Sequence, residues 1–102
     1  MTNLEPGAIL VSKWGYDQTN AEFWRVEQVT PKGSAKLMRL ATVETSDGPQ
    51  TMTGKAMPGE PTGETIRRKV NPGYDGQPFV QVDYRQFARP WAGNPVAVSH
   101  YA

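Results

Sequence analysis

Cysteine is absent from the 102-residue chain. That absence excludes disulfides, thiolate metal sites and cysteine nucleophiles together. Histidine is nearly absent as well: His100 is the single one. It lies at a terminus, where chains fray and catalytic geometry is hard to hold, so no Ser-His-Asp set can be built on it. No apolar run approaches the ~20 residues needed to span a bilayer, and no membrane partner is expected. The first residues lack a basic region followed by an apolar one, so no signal peptide is expected and the location expected is cytoplasmic. Neither sign of charge is in excess: 11 Lys and Arg face 10 Asp and Glu, for a net charge of +1. A strongly basic nucleic-acid binder and an acidic mimic of DNA are both excluded on that balance.

Hydrophobic residues make up only 37% of the chain, but three Trp, four Tyr and three Phe are among them. Aromatic side chains bury large areas, so a few can carry a small core. A chain of this length forms one domain, here 1–102, burying roughly two-thirds of its unfolded surface. Ten Gly and nine Pro punctuate it regularly, which argues for short strands and turns.

The strands can be placed. Ala8–Ser12 is a short apolar strand after the Pro6-Gly7 turn. From Glu22 to Thr30, Trp24 and Val26 share one face and Phe23, Arg25 and Glu27 the other, while Val29 falls out of phase. A bulge near Glu27-Gln28 accounts for the slip, and bulges bend strands toward barrel closure. Ala35–Thr45 reads as the next strand, following the turn Pro31-Lys32-Gly33-Ser34. Residues 50–63 are polar and rich in Gly and Pro, and predict a long loop. Glu64–Val70 is β again, with Ile66, Arg68 and Val70 on one face and Arg67 and Lys69 on the other. Phe79–Tyr84 alternates cleanly, Val80, Val82 and Tyr84 inward. Residues 85–93 predict a turn or a single helical turn, and Val96–Tyr101 a last strand. The fold expected is all-β: a small antiparallel barrel or sandwich, SH3-like or OB-like, with about six short strands.

The densest stretch runs from Lys13 to Trp24. It sets Trp14, Tyr16, Phe23 and Trp24 around Asp17, Gln18, Thr19 and Asn20. Short polar side chains of this kind bond to nearby backbone and hold a compact loop. The run Trp14-Gly15-Tyr16-Asp17-Gln18-Thr19-Asn20, then Phe23-Trp24, resembles a group of small proteins of bacteriophages and bacterial mobile elements. That group pairs a W-G-Y-[DE]-Q-T-N-x-x-F-[WY] segment with a basic β segment and a C-terminal W-x-G-x-P. The counterparts here are Arg67-Arg68-Lys69-Val70 and Trp91-Ala92-Gly93-Asn94-Pro95. The resemblance covers most of the chain outside 50–63. It implies a phage or mobile-element setting and no mechanism.

Chemistry finds little purchase. Asp17, Glu22, Asp75 and Asp83 lack ligand spacing, no phosphate-binding or dinucleotide motif is present, and no catalytic residue, metal or cofactor is expected. Asp17 and Glu22 could pair for acid–base work, but a loop cap and a solvated strand residue describe them as well. Binding is the stronger class, and a non-enzymatic role is expected. Trp14 and Tyr16, with Gln18 and Asn20, would form an aromatic shelf lined with amides, able to stack bases or hold a peptide. Arg67 and Lys69 share a strand face about 7 Å apart; with Arg85, Arg89 and Arg25 they would make a positive surface. Two partners follow: a nucleic acid, or a host protein that the chain docks on and modulates. An exposed strand edge leaves homo-oligomerisation open.

Overall fold

The computed structural model describes residues 4–14, 20–46, 48, 53–72, 77–83 and 86–99, the side chains of Asp83 and Ser99 excepted. These residues form β1 (Ile9–Trp14), β2 (Asn20–Val29), β3 (Ser34–Ser46), β4 (Thr53–Asn71), β5 (Phe79–Asp83), β6 (Gln86–Pro90) and β7 (Val96–Ser99). Neighbours run β3-β2-β1-β6-β5-β4-β7, and β3 also pairs with β4. That last pairing closes a six-stranded barrel, all antiparallel, with β7 appended outside the ring. The sequence predicts an all-β antiparallel barrel or sandwich of about six strands, and the barrel is the form taken.

Period-two alternation sorts side chains into two cores. Leu10, Trp24, Val26, Ala35, Leu37, Val80, Val82 and Ala88 point into the barrel with Leu4, and Ile66 and Val70 pack against them. The expected bulge is present: the β2–β3 register slips between Val26 and Gln28, leaving Glu27 as the extra residue. Arg25 bonds back to Glu27 at 2.8 Å across that bulge. Hydrogen bonding to the guanidinium, and its charge, hold the Glu27 carboxyl below its ordinary value against the opposing effect of desolvation.

The predicted loop at 50–63 is, from Thr53 onward, strand instead. β4 runs 19 residues through Gly54, Pro58, Gly59, Pro61 and Gly63. The prolines are tolerated because of where they fall. β7 pairs only with Thr53–Ala56 and β5 only with Val70–Asn71. Between those stretches β4 has one open edge, where a missing N–H costs no ladder bond. The register to β3 also jumps between Met38↔Thr65 and Leu40↔Pro61. Gly63, at φ +93°, absorbs the extra residues there.

The far halves of β3 and β4, with β7, thus make a flap that folds over the outside of β2. Phe23, Ala21, Leu40, Ala56 and Val98 form the second core beneath it, with Trp91 against them. The Trp91 ring meets Phe23 edge-on, centroids 5.8 Å apart and planes at 81°, and its indole donates to the Asn94 carbonyl at 2.7 Å. Gly93 makes that turn at φ +93°. The W-x-G-x-P segment is therefore a packing device for the flap. Residues 86–90, expected as a turn, are β6: Ala88 is buried between Ser12 and Val80, while Phe87 and Arg89 point out.

Candidate functional site

Two surfaces draw together polar and aromatic groups. The first is the outer face of β3, β4, β5 and β6. Lys36 lies directly opposite Arg67, and Ser34 opposite Lys69. Like charges facing each other across a ladder cost stability; the Glu27 carboxylate, which Lys36 helps hold below its ordinary value, offsets part of that cost. Further round, Phe79 and Phe87 meet edge-to-face at 5.7 Å, and the Arg89 guanidinium lies 5.5 Å above the Phe79 ring. Phe87 is 44% exposed. Among the described residues no carboxylate makes a salt bridge to Lys36, Arg67, Lys69 or Arg89. Arg25, expected in this surface, instead spends its charge on Glu27.

The second surface is the barrel mouth. Glu22 and Trp24 on β2, Arg39 on β3, Glu64, Ile66 and Arg68 on β4, Val82 on β5 and Gln86 on β6 line a cavity of about 350 Å³. Arg39 bridges Glu22 at 2.8 Å and Glu64 at 3.1 Å. Gln86 donates to the other Glu22 oxygen at 2.8 Å. The β4 bulge makes this possible: Thr62 Oγ1 donates to the Arg39 carbonyl at 3.1 Å and accepts the Glu64 N–H at 3.2 Å, which turns Glu64 toward Arg39.

Trp14 ends β1, paired with Asn20 and 38% exposed. It continues the Leu10–Ser12 side of the strand to the mouth end. Arg67 and Lys69 are exposed on the outer face of β4. Round the ring, β1 and β4 are separated by β6 and β5 one way and by β2 and β3 the other. Trp14 and Asn20, the described members of the expected shelf, therefore stand on the opposite side of the barrel from Arg67 and Lys69. Tyr16, Gln18 and Arg85, like Asp17, Tyr84 and His100, lie outside the described residues. Sequence reasoning set Glu22 aside and missed Arg39, Glu64, Phe87 and Gln86 as site residues. One signal was available: Glu22 has the parity of Trp24 and Val26, and a charge on an inward face points into a mouth.

Two buried polar atoms inside the barrel have no hydrogen-bond partner among the described residues: Ser12 Oγ and Trp24 Nε1. An orphaned buried group costs roughly 1–3 kcal/mol. Ser12→Ala is accordingly expected to leave the protein unchanged or up to about 1 kcal/mol more stable, read as a raised urea midpoint. A clear loss would reveal a partner for the hydroxyl.

No family model matches the chain, and neither a curated protein nor a solved structure does.

Proposed function

We propose that the protein is a non-enzymatic accessory module that binds single-stranded nucleic acid on the outer face of β3 to β6. The phage or mobile-element setting implied by the resemblance suits that role. The observation that carries it is exposed Phe87 against half-buried Phe79, beside Lys36, Arg67, Lys69 and Arg89, none of which makes a salt bridge to a described carboxylate. Aromatic faces stack splayed bases without regard to sequence, and flanking cations take the phosphates. With only four cations, affinity is modest and salt-sensitive, in the range of about 1–100 µM at low salt.

Fluorescence anisotropy of labelled single- and double-stranded oligonucleotides tests this. Single strands are expected to bind and to be released by added salt. The charge reversal R67E/K69E should weaken binding by ten-fold or more, and Phe87→Ala by about 1–3 kcal/mol. Absence of binding across that concentration range removes the reading.

Docking on a host protein has one observation of its own. Val43 and Met57 pair directly across the flap and are both exposed. A partner captured from host lysate and lost on Met57→Glu, with the barrel intact, would favour it.

A further inference from the structure

We propose that the barrel mouth is a pocket for one nucleobase, guanine, turned inward from a strand held on the outer face. This rests on the nucleic-acid reading above and adds base selectivity to it. Among the described residues lining the mouth the charges cancel, Glu22 and Glu64 against Arg39 and Arg68. Such a lining has no net pull on a phosphate, and suits a neutral ligand that offers donors and acceptors side by side.

The hydrogen-bond inventory narrows the choice. Arg39 is committed to both carboxylates, and both Glu22 oxygens are taken by Arg39 and Gln86. Two groups retain capacity among the described residues. Among the described residues, Glu64 accepts side-chain hydrogen bonds through Oε2 alone, from Arg39. Arg68 donates to the carbonyls of Arg67 at 2.9 Å and Val82 at 3.5 Å, and makes no salt bridge to a described carboxylate. One carboxylate and one guanidinium remain among the described groups. Guanine presents two adjacent N–H donor groups, N1 and N2, beside the O6 acceptor. A carboxylate takes the donors, and a guanidinium takes O6. Adenine and cytosine turn a ring-nitrogen acceptor toward the same carboxylate and are repelled.

Trp24, Ile66 and Val82 supply apolar wall for the base. The Trp24 residue is 95% buried (5% exposed), and its indole N–H has no partner among the described residues, so its signal reports on this wall. The cavity, about 350 Å³, lies at the small end of ligand pockets. Connectivity supplies the route. Arg67 and Lys69 point outward on β4 while Ile66 and Arg68 point inward, so a backbone gripped outside passes the rim of the mouth.

The test uses nucleosides, which carry no phosphate for the outer face. In ¹H–¹⁵N spectra the Trp24 indole signal is assigned with Trp24→Phe. Guanosine is expected to shift that signal, while cytidine and adenosine leave it in place. Glu64→Gln and Arg68→Gln should each reduce guanosine affinity ten-fold or more and keep both the fold and the binding of oligocytidylate. No guanosine shift, or equal shifts from all nucleosides, overturns the pocket. Oligocytidylate binding with no guanosine shift leaves the outer-face reading standing alone. A guanosine shift without oligonucleotide binding keeps the pocket and removes that reading.

Discussion

Replacing Phe23 with alanine should lower the unfolding free energy by about 3–5 kcal/mol. Phe23 has no exposed surface. It stands on the outer side of β2, directly paired with Val11 on β1 and Leu40 on β3. Both neighbours are fixed by backbone ladders, so the space left by the ring cannot collapse. The edge-on contact with Trp91 adds about 0.5–1.5 kcal/mol beyond burial. A domain of this size holds about 5–15 kcal/mol in all, so the variant should lose a large share of it. The measurement is urea unfolding followed by tryptophan emission. Phe23→Leu should retain most of the stability. If Phe23→Ala cost under about 1 kcal/mol, the flap would not be bearing on the barrel.

Gly54→Ala is expected to cost about 1–3 kcal/mol through crowding, with the damage confined to the flap. A Cβ on Gly54 would sit 2.5 Å from the Thr45 backbone oxygen. A backbone atom cannot rotate away, so β3 and β4 must part where Ser46 pairs with Gly54. Gly54 also pairs with Val98, so β7 loosens with them. Hydrogen exchange should show the amides of Thr45, Lys55 and β7 losing protection while those of β1 and β5 keep theirs. Gly59→Ala is the control. Its nearest neighbour is a Val43 methyl at 2.9 Å, which can turn aside, and the Ala41 backbone oxygen stands farther off at 3.1 Å, so its effect should be smaller. Equal effects would mean that the flap yields anywhere along its length.

The barrel was legible where alternation was clean. Val80 and Val82 were read inward and are buried, and the slipped phase of Val29 announced the bulge at Glu27. Composition misled at 53–63. Pro58 and Pro61 signal a loop to any local reading, and only the absence of a second neighbour along that part of β4 permits them there. Position 88 misled in the opposite sense: an alanine is a weak apolar signal, yet it is the inward residue of β6. The candidate site was half legible. Arg67 and Lys69 are exposed on one face as read. Their aromatic company is Phe79 and Phe87 and not Trp14, because which strands adjoin is a property of barrel closure that spacing along the chain does not carry.

Closure also dictates an order of assembly. Round the ring every pairing joins consecutive strands except one, β6 against β1, where Leu10 meets Pro90. The β2–β3–β4 meander needs only short loops to form, whereas that seam must gather nearly the whole chain and bears the largest loop-closure entropy. The meander should nucleate folding and the seam should zip last. Until β6 is made, one edge of β1 stands unpaired, open to a strand from another chain. During synthesis the interval of greatest aggregation risk is therefore the one between emergence of β1 and emergence of residues 86–90.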